Sequence, residues 1–188
     1  DNQSLFIGAH SGGQVVSTPV AKLLPLPPKP SPKTDSQVGL KPLVPTEFKS
    51  LVGATGVISV DGTVLVSGKN GKDTYTLTTT VPQGPPVTAI RLEVLPDKTL
   101  PSQGRGRAHI GNFVLSEFIV KAVSTGGQKA ETQVSFASVT ADYSQKGWPV
   151  ASTRDKKQDT GWGISGRVGK SHVATFQTAA QTPIQGGT

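Results

Sequence analysis

Aromatic side chains that suit sugar binding are concentrated in the later part of the chain. Aromatic residues make up only 5% of the sequence, yet both of its tryptophans, Trp148 and Trp162, follow Tyr143 at short spacing. An exposed aromatic ring offers a broad apolar surface beside a polar atom, whereas a buried ring packs beneath a loop. The three residues are therefore interpreted as a candidate carbohydrate-binding platform, with core packing as the alternative.

A second candidate binding set consists of basic side chains in one Gly-rich loop. Arg105, Arg107 and His109 alternate with small residues in the string GRGRAHIG. Guanidinium groups bind sulfate or carboxylate oxygens through two parallel hydrogen bonds. The set therefore predicts contact with a polysaccharide or other anionic glycan. The alternative is that Arg105 and Arg107 bind backbone carbonyl groups and fix their own loop.

Oxygen-bearing side chains in a polar loop indicate a candidate Ca²⁺ site. Asp155, Asp159 and Thr160 lie close together before a Gly-Trp pair, and hard cations take carboxylate and carbonyl oxygens from such loops. The spacing resembles the structural calcium loop of discoidin-like, galactose-binding sandwiches. Lys156 and Lys157 oppose a cation electrostatically, and an ordinary Asx turn is the alternative.

The sequence offers no recognisable catalytic set. The three histidines, His10, His109 and His172, stand in different contexts, no Gly-x-Ser-x-Gly elbow is present, and there is no cysteine. Glu93 and Glu117 fall in predicted strands, and a glycosidase needs two carboxylates about 5–9.5 Å apart around a cleft. Solvent-facing or arginine-paired carboxylates are the favoured interpretation, so we expect no enzyme activity.

The charge balance bears on partners. Nineteen basic against 12 acidic residues give a net charge of +7, which favours anionic partners. The basic residues are scattered rather than grouped, so the sequence predicts a solvated basic surface and no nucleic-acid site. No apolar run is long enough to span a bilayer, and no basic and apolar leader follows Asp1.

Alternating apolar residues predict the strands that position these loops. Ile90, Leu92 and Val94 alternate with charged residues, which gives one buried sheet face. Residues 113–120 are apolar on both faces, as in a strand covered on both sides. The loop between them, 96–112, is long against the usual ~4–6 residues, and such loops are often functional.

The remaining strands have the same period. They are predicted at 56–60 and 63–66, joined by a type I′ turn at Asp61-Gly62, and at 73–81, 131–139 and 172–177. No segment shows helical periodicity with caps. The sequence therefore predicts an all-β, antiparallel β-sandwich of jelly-roll type, similar to galactose-binding sandwiches.

The ends of the chain are interpreted differently from its middle. Residues 1–48 are proline-rich, with a dense run at 23–32, and are predicted to be an extended spacer with one edge strand at Leu5–Ile7 or Gln14–Val16. Residues 49–188 are predicted to be the sandwich module, with half-repeats at 49–133 and 134–188. The strand at 172–177 would then lack neighbours, so we expect another chain or a C-terminal continuation to complete the sheet.

Several strings resemble one family. They are DGTVLVSG at 61–68, DTYTL at 73–77, IRLEVLPD at 90–97, GRGR at 104–107, GNFVLSEF at 111–118, ADYSQKGWPV at 141–150, DTGWGI at 159–164 and GKSHVATF at 169–176. In order and spacing, about residues 47–187 are similar to the middle region of large exported planctomycete proteins with a cytochrome c-like domain and domains of unknown function. The resemblance implies a secreted module at the cell surface, in the periplasm or outside the cell. Similar members usually have Asp-Gly where this chain has Asp155-Lys156, and continue past residue 188.

The leading hypothesis is therefore a non-catalytic exported β-sandwich that binds carbohydrate or attaches a larger protein to the cell surface. A purely structural subunit of a surface or extracellular assembly is the first alternative. A polysaccharide-active enzyme domain is the second.

Overall fold

A computed structural model describes residues 3–10, 40–82, 84–124, 131–167, 169–180 and 184. The all-β prediction is confirmed: the sheets are antiparallel, and the helices within these residues are two short 3-10 turns, Pro101–Gln103 and Val150–Arg154. The strands are β1 (Gln3–His10), β2 (Glu47–Ser50), β3 (Ala54–Ile58), β4 (Val64–Gly68), β5 (Thr74–Thr80), β6 (Ala89–Val94), β7 (Val114–Leu115), β8 (Glu117–Ser124), β9 (Glu131–Gln133), β10 (Phe136–Ala141), β11 (Trp162–Gly163) and β12 (His172–Thr178).

The largest sheet has five strands in the order β2-β5-β1-β8-β9. The strand predicted at Leu5–Ile7 is present within β1, but its predicted edge position is wrong, because β1 pairs with β5 on one side and with β8 on the other. Ile7, for example, lies opposite both Leu77 and Val120 in the register. The alternative strand at Gln14–Val16 and the proline run at 23–32 lie outside the described residues.

A second sheet has three strands in the order β10-β12-β6. The prediction that the strand at 172–177 lacks neighbours is wrong, because β12 is the central strand of this sheet. Phe176 lies opposite Val139 on one side and Ile90 on the other. After β12, Ile184 forms an isolated antiparallel bridge with Val87, which lies just before β6. The expected open edge is therefore not at this strand.

Two of the predicted strands are each divided between different sheets. The apolar run at 113–120 is interrupted at Ser116, so that β7 pairs with β11 while β8 joins the five-stranded sheet. The predicted strand at 131–139 is likewise interrupted after β9, and β10 joins the three-stranded sheet. In both places the chain crosses from one sheet to another. At the first crossing, Leu115 and Phe118 are buried on either side of it.

Aromatic rings join the two larger sheets into one core. Phe118 of β8 stacks on Phe176 of β12 with ring centroids 4.0 Å apart. Phe136, at the start of β10, lies 5.3 Å from Phe176 and 5.8 Å from Phe118. Phe118 and Phe176 are almost fully buried. The sheets therefore share one hydrophobic core, while the jelly-roll arrangement stays a prediction.

The predicted hairpin is present, with a different turn. β3 and β4 pair antiparallel, with Val57 opposite Leu65. Gly62 has a φ of 85°, and no other residue of the turn has a positive φ. A type I′ turn needs two such residues, so the predicted turn type is wrong. The amide of Gly62 donates to the Ser59 carbonyl at 2.9 Å, and the amide of Ser59 donates to the Thr63 carbonyl at 2.8 Å, which defines a three-residue loop.

Candidate functional site

Trp162 is a core residue. Its side chain has 0% exposure, and its indole Nε1 donates a 2.8 Å hydrogen bond to the Tyr143 carbonyl. The ring meets Phe113 edge to face, with centroids 5.4 Å apart. The prediction that Trp162 belongs to an exposed sugar platform is therefore wrong, and the core-packing alternative describes it.

Tyr143 and Trp148 remain partly exposed beside it. The Tyr143 hydroxyl donates to the Ser165 carbonyl at 2.9 Å, and the Arg167 guanidinium carbon lies 4.8 Å from the Tyr143 ring centroid. Trp148 packs against Gly163, where an added side-chain carbon would lie 3.2 Å from the Trp148 Cβ. Of the three residues predicted to form the platform, Tyr143 and Trp148 have partly exposed side chains and Trp162 does not.

Arg107 fixes the Gly-rich loop to two strands. Its Nη1 donates to the Tyr75 hydroxyl at 3.2 Å, and its Nη2 donates to the Gly68 carbonyl. The loop is held in return by Asn70, whose Nδ2 donates to the Arg107 carbonyl at 3.0 Å. The side chain is buried. Arg107 therefore has a structural role, with acceptors on neighbouring elements rather than on its own loop.

The same loop packs too closely for larger residues. At Gly106 an added Cβ would lie 1.8 Å from the Asn112 carbonyl oxygen. Real side-chain carbons do not approach the backbone this closely. Gly106 is therefore needed for the loop to pack in the conformation in which Arg105 and Arg107 are buried. His109, by contrast, is exposed. The three predicted basic residues therefore do not converge on one surface site.

Arg105 is fully buried, with 0% exposure. Its Nη1 donates to the Arg167 carbonyl at 3.0 Å, but its Nε and Nη2 have no acceptor among the described residues. Burial lowers the pKa of Arg105 to about 10, and the charge of Asp142 opposes this effect. A buried cation with two unsatisfied donors requires an explanation.

A histidine and a carboxylate that the sequence did not single out lie beside Arg105. His172 Nδ1 lies 2.9 Å from Asp142 Oδ2, and His172 Nε2 lies 3.2 Å from the Arg167 carbonyl. Both ring nitrogens therefore face oxygen acceptors, and only the protonated ring donates to both. The Val173 amide donates to the other Asp142 oxygen at 2.8 Å. The cluster depends on the pairing of β10 with β12, which local spacing does not reveal.

The acidic loop forms an Asx turn. Asp155 Oδ1 accepts from the Lys157 amide at 2.9 Å, and Oδ2 accepts from the Thr160 hydroxyl at 2.7 Å. Lys156 has a φ of 63°, a conformation that favours glycine. Asp159 is exposed. In the described part of the chain no group of three His, Cys, Asp or Glu residues is arranged to hold a metal, which leaves the Ca²⁺ hypothesis without structural support.

The two candidate acids belong to different sheets and both are buried. Glu93 lies in β6 and is 6% exposed, and Glu117 lies in β8 and is 8% exposed. Their interpretation as solvent-facing carboxylates is therefore wrong, while the alternative of arginine-paired carboxylates stays a prediction. Burial raises the pKa of Glu117, although the backbone amides of Lys156 and Lys157 donate to it.

The raised pKa of Glu117 predicts a pH dependence of stability. The protonated form is favoured in the fold, so this contribution is fully present below the unfolded-state pKa, near 4.5. It is lost as the pH rises through the folded-state pKa. We expect Glu117→Gln to be more stable than the wild type at neutral pH and to show a flatter stability curve between pH 4 and 7.

Urea denaturation of both proteins across that pH range measures the effect. Glu131→Gln is the matched control, since Glu131 is exposed and pairs with Lys121 at the surface, where loss of a salt bridge costs at most about 1 kcal/mol. Parallel curves for the wild type and Glu117→Gln would show that Glu117 does not titrate differently in the fold.

Exposed apolar side chains gather on and around the β3–β4 hairpin. Val57 on β3 is 62% exposed and Val60 in its turn is 102% exposed. Leu51 and Val52, in the turn that leads into β3, are 79% and 36% exposed. Contiguous exposed apolar residues are the usual mark of a protein interaction surface.

Comparisons with known protein families, with curated proteins and with solved structures found no match. The resemblance of residues 47–187 to exported planctomycete proteins therefore stays a prediction. Within the described residues, no helix has the length and hydropathy needed to cross a bilayer.

Proposed function

We propose that this protein is a structural module that assembles with another chain by strand addition at the outer edge of β3. One observation carries the proposal: β3 and the turns on either side of it expose apolar side chains on a strand edge that no described strand covers. Exposed edges of this kind accept an additional strand through main-chain hydrogen bonds.

The direction of the free hydrogen-bonding groups follows from the hairpin register. The Ser59 amide donates to the Thr63 carbonyl, so odd-numbered residues of β3 direct their N–H and C=O groups toward β4. Backbone groups alternate in direction along an antiparallel strand. The N–H and C=O of Gly56 and Ile58 therefore point away from the hairpin, toward an incoming strand.

The edge strands of the two larger sheets carry protective features that β3 lacks. β2 has Glu47 and Lys49, which pair at 2.8 Å, and β9 has Glu131. β6 also carries charged residues. β10 has a register irregularity, and Arg154 donates to the carbonyl of Phe136 there. Charges and bulges of this kind prevent edge-to-edge pairing. Residues 51–60, by contrast, contain no charged residue.

A second copy of this chain is the occupant that this edge fits best. If β3 pairs antiparallel with its own copy about a twofold axis at Val57, Gly56 lies opposite Ile58 of the second copy and the two Val57 side chains are cross-strand neighbours. No like charges then face each other in the strand pair, because the segment is uncharged. The net charge of +7 on each chain opposes association at long range, so added salt is expected to strengthen it.

Sedimentation velocity of the full chain at increasing concentration tests this proposal. We expect reversible dimerisation, and we expect Val57→Lys to raise the dissociation constant at least about tenfold, which corresponds to ~1.4 kcal/mol. Thr140→Lys is the matched control, because it adds the same charge at an exposed position of β10. A monomer at every concentration, or equal effects of both substitutions, would contradict the assignment of β3.

Carbohydrate binding is a second candidate, favoured by the partial exposure of Tyr143 and Trp148 beside the Arg167 guanidinium. This second candidate includes export of the module and its attachment of a larger protein to a cell surface. A glycan array compares the wild type with Trp148→Ala: binding that the substitution removes supports the candidate, and an array without binding counts against it.

A further inference from the structure

We propose that the Nε–Nη2 edge of Arg105 binds an anion that carries two oxygen atoms, enclosed beneath the Gly-rich loop. The site is independent of strand addition at β3. These two nitrogens lie on the same edge of the planar guanidinium group, and neither has an acceptor among the described residues. A carboxylate, sulfate or phosphate matches such a pair of donors with two parallel hydrogen bonds.

The position of this donor pair is fixed by the fold. Nη1 is held at 3.0 Å from the Arg167 carbonyl, and the Arg105 amide donates to the Gly111 carbonyl at 3.2 Å. The side chain has 0% exposure, so bulk water does not satisfy the remaining donors. A buried, oriented pair of charged donors is the arrangement that proteins use to recognise carboxylate and phosphate groups.

The charges around Arg105 favour an anion over a neutral occupant. Asp142 is the carboxylate that acts on Arg105 electrostatically, but its oxygens already accept from His172 and from the Val173 amide. Buried donors of a charged group that lack acceptors are costly, and a bound anion offsets that cost.

Two kinds of anion offer such a pair of oxygen atoms: a carboxylate and a tetrahedral oxyanion. We expect either to enter only when the surrounding loops open, because the donor pair is fully enclosed. Binding is therefore expected to be slow on the timescale of chemical shift differences, so that the free and bound forms give separate signals.

Nuclear magnetic resonance of the arginine Nε–H groups of the full chain tests the proposal directly. Sodium acetate, sulfate and phosphate are titrated in separate samples, with sodium chloride keeping the ionic strength constant. We expect a second Arg105 signal whose intensity grows with one of these anions and saturates. A response to acetate indicates a carboxylate ligand, and a response to sulfate or phosphate indicates a tetrahedral oxyanion. An unchanged Arg105 signal in all three series would overturn the proposal and indicate enclosed water.

Thermal unfolding of variants gives an independent readout. Arg105→Met has a similar volume and is expected to fold, since His172 Nε2 still lies 3.2 Å from the Arg167 carbonyl. At a hundredfold excess of the binding anion over its Kd, we expect the wild-type Tm to rise by about 5–10 °C. Arg105→Met and Arg105→Lys, which both lack the paired donors, are expected to lose this rise. An equal rise in all three proteins would show a general salt effect and contradict the site.

Discussion

Trp162→Ala is expected to lower the free energy of unfolding by about 3–5 kcal/mol, the range for removing a large buried aromatic residue. The indole is fully enclosed and meets Phe113 edge to face. Its removal also leaves the Tyr143 carbonyl without the 2.8 Å hydrogen bond from Nε1. The cavity and the lost hydrogen bond act in the same direction.

Trp148→Ala is the matched control for Trp162→Ala. Trp148 is the other tryptophan of the chain and lies on the neighbouring loop, but it is only partly buried. We expect it to lower the free energy of unfolding by about 1 kcal/mol, since less apolar surface leaves water when the chain folds. Chemical denaturation measures both values. Equal losses in the two variants would contradict the assignment of Trp162 to the core and Trp148 to the surface.

Deletion of residues 1–10 is expected to abolish cooperative folding. β1 lies between β5 and β8 and pairs with both along its length. Without it, the five-stranded sheet separates into β2 with β5 and β8 with β9. Two-stranded units of this kind are marginally stable in water. This expectation reverses the sequence-based interpretation of residues 1–48 as an extended spacer with one edge strand.

Circular dichroism during thermal unfolding tests the deletion. Removal of residues 23–32 is the control, because it shortens the proline run and leaves β1 attached to the chain. Loop length alone changes stability only slightly, by about 0.6 kcal/mol per doubling. A deletion of residues 1–10 that still unfolds cooperatively near the wild-type temperature would contradict the central position of β1.

Period-two patterns predicted the strands whose two faces differ. β12 buries alternate residues. β6 buries Ile90, Leu92 and Val94 as predicted, with Glu93 buried as well. The turn signal at Asp61-Gly62 placed the β3–β4 hairpin. The sequence did not reveal which sheet each strand joins. Ser116 interrupts a continuous apolar run, and an apolar run without alternation gives no sign of a change of sheet. The pairing of β1 with β5 and β8 likewise joins segments far apart in sequence.

The residues that suggested exposed binding loops have different positions in the structure, where Trp162 and Arg105 are buried. Aromatic and basic residue types identified the loops that contain Trp162 and Arg105, yet burial of these side chains depends on contacts made after the sheets assemble. Trp162 meets Phe113, and Arg105 reaches the Arg167 carbonyl, across long stretches of sequence. The Asx turn at Asp155 was foreseen as the alternative to a Ca²⁺ site because it requires only local hydrogen bonds.

Hydrogen–deuterium exchange at the amides of Gly56 and Ile58 tests strand addition at β3 most directly. These two N–H groups point away from β4, so an added strand protects them and leaves the hairpin amides of Val57 and Ser59 unchanged. We predict that exchange at Gly56 and Ile58 slows as the protein concentration is raised, and that Val57→Lys removes this dependence. Exchange at both amides that is independent of concentration, or protection that appears on another strand edge, would contradict the account.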